Sequence, residues 1–204
     1  MAHNTVLLEQ KGALAYLTLA APPKNEMGAG FFQEFSALKP ELQRLSVRGM
    51  IVSGKGRHFS SGANIAQMHA MLSLTTTQAG MRSLLDNSDS FSTLPALPFP
   101  VVAAIQGCCL GSGLELALAC HFRVAAKNAV LGLPEVGFGL MPGCGGTVRL
   151  TRLIGYQKAM RYILTGESLL AQDALKEGIV DAVVDKEELE EAAKRIIERF
   201  GKRE

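Results

Sequence analysis

Residues 90–114 contain no Asp, Glu, Lys or Arg. So long an uncharged stretch has to leave water, and it is long enough to raise the question of a membrane span. Pro95, Pro98 and Pro100 interrupt it and several polar residues are scattered through it, so a buried strand with its flanking loop is expected instead. The rest of the chain can supply the body around it. Of 204 residues, 48% are hydrophobic and 20% charged, well away from the composition of disordered chains. Twenty-one Lys+Arg against 19 Asp+Glu give a net charge of +2, too weak a field for a typical nucleic-acid binder, so any bound anion must be gripped locally. No nucleic-acid or membrane partner is expected. The opening MAHNTVLLEQKG lacks a basic segment followed by a long apolar run, which predicts a cytoplasmic protein. Cys108, Cys109, Cys120 and Cys144 form no CxxC pair, so they read as buried small residues rather than metal ligands or disulfide partners.

Strand and helix signals alternate along the chain, predicting an α/β fold in one domain over residues 1–204. Residues 6–9 and 13–20 read as a β-hairpin, and Pro22-Pro23-Lys24-Asn25 breaks the chain after it. A helix is predicted over 31–45, with Pro40 interrupting it and starting a second turn. Strands are predicted over 49–53, 101–105, 122–126, 130–132 and 179–184. Helices are predicted over 64–92, 111–120, 143–155, 157–165, 171–177 and 186–200, the last charged and amphipathic.

Charge isolation marks the residues worth suspecting of chemistry. Between Asp89 and Arg123 the only residue of the four charged types is Glu115, and between Lys127 and Arg149 the only one is Glu135. The helical neighbours of Glu115 are Gly111, Ser112, Leu118 and Ala119, which offer it no solvated face. A carboxyl held out of water has a raised pKa and can trade protons near neutrality, and a pair in different environments can divide acid and base roles. The competing structural explanation is that each glutamate caps a helix or pairs with an arginine, with Arg123, Arg149 and Arg152 available. Glycines at 62, and at 107, 111 and 113 ahead of the Glu115 helix, offer two backbone segments with free N–H groups, as an oxyanion hole or as ordinary turns. Gly143-Cys-Gly-Gly146 reads as a tight turn entering a helix, and His58 and His121 as structural or surface histidines. Lys24, Lys55, Arg57 and His58 form either a basic rim for a phosphate or a plain solvated surface.

Three groups of residues carry a resemblance over nearly the whole chain. They are Ile105-Gln-Gly107 with Gly111-Ser-Gly-Leu-Glu-Leu-Ala-Leu-Ala-Cys120, Leu133-Pro-Glu-Val-Gly-Phe-Gly-Leu-Met-Pro-Gly-Cys-Gly-Gly-Thr147 with Arg149-Leu-Thr-Arg-Leu-Ile-Gly155, and Thr165-Gly166 through Gly178-Ile-Val180. Together they resemble the crotonase (enoyl-CoA hydratase/isomerase) superfamily, and Phe59-Ser-Ser-Gly-Ala-Asn-Ile65 is similar to its first oxyanion segment. The resemblance implies a crotonase-like spiral of ββα units acting on an acyl-CoA thioester, with CoA as part of the substrate and no separate cofactor or metal. By position it implies Ala63 and Ser112 as backbone donors to the thioester carbonyl, Glu115 and Glu135 as catalytic residues, and Lys24, Gly62, Ile65 and Gly111 as substrate-binding positions. It further implies an enoyl-CoA hydratase assembled as a homotrimer or hexamer. The alternatives are an enoyl-CoA isomerase or a non-catalytic acyl-CoA-binding protein. Asn64 stands where the family often has Asp, as does His121, and relatives typically continue past the position of Gly201 with further helices, so a shortened C-terminal helical region is expected.

Overall fold

Alternating apolar residues in two short runs, joined at Gly12, form the hairpin that opens the chain. In the computed structural model, which describes residues 4–67 and 90–201, β1 (Val6–Lys11) pairs antiparallel with β2 (Leu14–Leu19). Next come α1 (Ala29–Arg44), β3 (Gly49–Gly54), β4 (Val101–Ile105), β5 (Cys108–Leu110) and α2 (Ser112–Ala119). They are followed by β6 (Phe122–Ala126), β7 (Val130–Gly132), a 3-10 turn at Pro134–Phe138, α3 (Gly146–Ile154) and α4 (Tyr156–Thr165). The described chain closes with β8 (Leu169–Leu170), α5 (Ala171–Lys176), β9 (Ala182–Val184) and α6 (Leu189–Phe200).

One sheet has the order β1-β2-β3-β4-β6-β9, parallel from β2 onward, and a second has the order β5-β7-β8. Successive units feed both sheets: β4 joins the first and β5 the second before α2, then β6 and β7 do the same before the 3-10 turn. This is the expected ββα spiral. Every residue of β4 is buried, because a central parallel strand is covered on both faces. Its odd positions Val101, Ala103 and Ile105 join the main core, and Val102 and Ala104 join a second cluster with Leu189, Ala193 and Ile197 of α6. The uncharged stretch is therefore the strand at the centre of the molecule together with its approach and exit.

Several predicted boundaries move for local reasons. Helix α1 runs unbroken through Pro40, because Pro40 and the Ser36 carbonyl it leaves unbonded both face water. Residues 143–145 form a turn, so α3 starts at Gly146. The N–H groups of Ile179 and Val180 both turn back to the Ala174 carbonyl at the end of α5, which delays β9 to Ala182. A 3-10 turn at Lys186–Glu188 precedes α6. Of the helix predicted over 64–92, residues 65–67 are helical, 90–93 form a turn, and 68–89 lie outside the described residues.

Helix α2 is anchored from its C-terminal end by Arg123, which is buried. Its guanidinium donates to the carbonyls of Cys120 (2.8 Å), Ala117 (3.4 Å) and Ile179 (2.8 Å) and meets Asp181 at 3.5 Å. Arg123→Ala would strand those carbonyls, and a loss of about 3 kcal/mol is expected in urea denaturation.

Candidate active site

Glu115 sits in the first turn of α2, a helix buried along its whole length, and is 1% exposed. Its Oε1 accepts the backbone N–H groups of Cys144 and Gly146, each at 2.7 Å. Gly146 is the first residue of α3, so the carboxylate caps that helix where its dipole favours negative charge. The helix-cap explanation therefore holds for Oε1. The Cys144 thiol is a further hydrogen-bonding neighbour of the same carboxyl. Burial raises the pKa of Glu115, while the two N–H groups and Arg149 pull against the rise.

Glu135 lies in the 3-10 turn at Pro134–Phe138, which α4 packs against. A Cβ placed on Gly111 would be 3.2 Å from Glu135 Oε1, so this carboxyl hangs over the residue that leads into α2. Its Oε2 is buried with no partner among the described residues. Burial foremost, and the facing Glu115, push its pKa to about 7. Two carboxyls that sense each other titrate as a pair. The donors on Glu115 favour its charged form and the unpartnered oxygen of Glu135 favours its protonated form, so Glu115 ionises first.

The backbone segments beside them are placed by strand register. Ser60 and Cys109 form a parallel bridge, with Ser60 N–H donating to Cys108 O and Leu110 N–H to Ser60 O, both at 3.0 Å. The two segments touch at their glycines: a Cβ on Gly62 would lie 3.5 Å from Gly111 Cα, and Ala63 and Ser112 are the residues that follow this touching pair. Each follows a glycine in the left-handed region, Gly62 at φ +93° and Gly111 at φ +53°, and a Cβ on Gly62 would lie 2.7 Å from Leu110 O. Neither Ala63 N–H nor Ser112 N–H has an acceptor among the described residues. Ser112 is also the first residue of α2, where an unbonded N–H is intrinsic to the helix end. Two adjacent free N–H groups beside two carboxyls can hold a carbonyl that gains charge while protons move at neighbouring atoms.

Two residues that sequence reasoning missed hold the first segment in place. Asn25, buried and at φ 50°, donates from Nδ2 to the carbonyls of Lys55 (3.1 Å), His58 (2.8 Å) and Phe59 (3.1 Å). Ser60 Oγ donates to Asn25 O at 2.7 Å and accepts Gly62 N–H at 3.1 Å. The available signal was the asparagine at the end of the Pro-Pro-Lys break, a residue type that tolerates positive φ.

Gly62, Ala63, Gly111, Ser112, Glu115 and Glu135 thus converge, while two other predicted positions stand apart. Lys24 is exposed, pairs with Glu26 at 3.3 Å, and lines a cleft of about 500 Å³ with Pro22, Phe31, Asn64 and Gln67. None of the six converging residues lines that cleft. Ile65 is half-buried and opens a helical turn capped by Asn64, whose Oδ1 accepts Gln67 N–H at 3.0 Å. His58 and His121 serve structure: their Nδ1 atoms accept Cys108 N–H and Val101 N–H, each at 3.0 Å. Among the described residues no cluster of His, Cys, Asp and Glu is placed to hold a metal, and no helix is long and apolar enough to cross a membrane.

A spiral of ββα units with one strand of each unit in each of two sheets is the crotonase fold. The profile of the enoyl-CoA hydratase/isomerase family matches residues 9–203, and the chain belongs to that family. The fatty acid oxidation complex subunit alpha of Vibrio cholerae is 44% identical over 194 residues, covering 92% of this chain and 27% of that protein. The chain therefore spans just over a quarter of the length of that relative. A probable enoyl-CoA hydratase of Bacillus subtilis is 36% identical over 206 residues, covering 98% of this chain and 77% of that protein. Among solved structures, an enoyl-CoA hydratase from Bacillus anthracis superposes with a TM-score of 0.85 at 32% identity, covering 96% of this chain and 76% of that one.

Two outcomes follow for variants at this site. Gly62→Ala puts a side chain into the Leu110 carbonyl and separates the two donors; turnover of an acyl thioester should fall about 10²-fold or more with the fold retained by circular dichroism. The second concerns pH. With its folded pKa at about 7, against 4.5 ordinarily, Glu135 contributes stability that is whole below about 4.5 and is lost as pH rises through 7. Glu135→Gln escapes that loss, and urea denaturation should find it about 2 kcal/mol more stable than the parent at pH 8 and not at pH 4.

Proposed function

We propose that the chain is a 2-enoyl-CoA hydratase, adding water across the double bond to give a 3-hydroxyacyl-CoA. The observation that carries this reading is the pair of mutually sensing carboxyls, buried Glu115 in the first turn of α2 and half-buried Glu135 over Gly111. In this scheme the Ala63 and Ser112 N–H groups bind the thioester oxygen, which takes up negative charge as the β-carbon is attacked. Glu115, already ionised, accepts a proton from water through Oε2 while the water oxygen bonds to the β-carbon. Glu135, protonated up to about pH 7, delivers a proton to the α-carbon, and the enolate collapses back to the thioester. The proton taken up at Glu115 and the one released at Glu135 balance, so the site resets by proton exchange with solvent. An isomerase needs one base that moves a proton along the chain, and the second carboxyl favours hydration. CoA enters as part of the substrate, and no cofactor is required by these steps. We further propose one catalytic domain over residues 1–204 and assembly as a trimer or hexamer. Assembly is supported by exposed apolar residues beside the site, Phe138, Met141, Val148, Tyr156 and Leu164.

The direct test is loss of the enoyl-thioester absorbance on adding crotonyl-CoA or longer enoyl-CoA substrates, with products identified in isotopically labelled water. Label is expected as a hydroxyl at the β-carbon, and Glu115→Gln and Glu135→Gln should each lower kcat by about 10²–10⁴-fold. A shifted double bond without a new hydroxyl would make the protein an isomerase. Binding without turnover across the substrate panel would make it a non-catalytic acyl-CoA-binding protein.

A further inference from the structure

We propose that Arg149 is a positioning residue that sets the charge state of Glu115 by holding the 143–146 turn from behind. The chain of contacts is short. Arg149 Nη1 donates to the Cys144 carbonyl, and the guanidinium lies over Gly145, where a Cβ would collide with it. The N–H of the same Cys144 and that of Gly146 are the two groups that bind Glu115 Oε1. Arg149 thus grips one side of a turn whose other side grips the carboxylate, and both the orientation of those N–H groups and the positive charge behind them depend on it.

The groups facing Glu115 are few. Cys144 and Arg149 come from α3 and the turn before it, and Glu135 comes from the 3-10 turn. Burial pushes the Cys144 thiol well above its ordinary pKa, so it faces Glu115 as a neutral group. Among the described residues Arg149 is therefore the one cation in this set, and it opposes desolvation in favouring the ionised form of Glu115. The role rests on the hydratase reading, in which Glu115 must be ionised to take a proton from water.

The test reads Glu115 directly. In protein labelled with ¹³C at the glutamate side-chain carboxyl, the resonance absent from Glu115→Gln is assigned to Glu115 and followed with pH. In Arg149→Gln its midpoint is expected to rise by about one pH unit, a roughly tenfold drop in the charged fraction on the acid side, and in Arg149→Lys by less. An unmoved midpoint in folded Arg149→Gln overturns the proposal. If circular dichroism shows that variant unfolded, Arg149→Lys decides: it lacks the guanidinium fork, so a raised midpoint supports the role and an unchanged one overturns it. The acid limb of the hydration rate should follow the midpoint with KM unchanged. Absence of hydration by the parent protein would sink the functional reading alone, since the titration still reports on Arg149.

Discussion

The site depends on one carboxylate oxygen held by two backbone N–H groups at the start of a helix. Glu115 Oε1 joins α2, which carries it, to the start of α3 through two bonds of 2.7 Å, from the N–H groups of Cys144 and Gly146. A neutral residue at 115 would leave buried N–H groups at the end of α3 poorly satisfied, and an unheld carboxylate in the same cavity would take up a proton. Structure and chemistry therefore make opposite use of the two oxygens of one group. The bound oxygen organises the protein, and in the proposed scheme the other takes the proton.

Helix α2 is an eight-residue rod fixed at both ends by different means. Arg123 collects its terminal carbonyls, while its first N–H has no acceptor among the described residues. A helix of this length would not persist alone in water; packing on every face of it keeps it formed. The rigidity matters because both the free N–H of Ser112 and the carboxyl of Glu115 lie within its first turn, so their relative geometry is set by helical pitch alone.

Much of this was legible from composition along the chain. Strand β4 was readable to the residue because a buried central strand excludes charge, and the same scarcity of charge along the chain made Glu115 and Glu135 stand out. Strands β5 and β8 were not read: Cys108–Leu110 lies among the glycines before α2 and Leu169–Leu170 is two residues long, and both are defined by pairing with β7. Pro40 misled because its effect depends on which side of the helix faces water, which the local sequence does not state. The readings of Ala63 and Ser112 rested on family resemblance; a backbone N–H has no letter in a sequence, and the register that sets Gly62 against Gly111 brings their segments together. Arg149 was one of three arginines available to the glutamates, and it reaches the Glu115 turn through the Cys144 carbonyl.

That register bears on how such a protein can diverge. Because the two donors belong to the main chain, the side chains at 63 and 112 are free to drift, and a serine at 112 leaves the N–H where an unsubstituted position would have it. A single substitution deletes either donor only by introducing proline. On the proposed function, inherited variation is thereby steered to the walls around the thioester, where it would alter which acyl group fits, while the electrostatic grip on the carbonyl would pass unchanged from one sequence to the next.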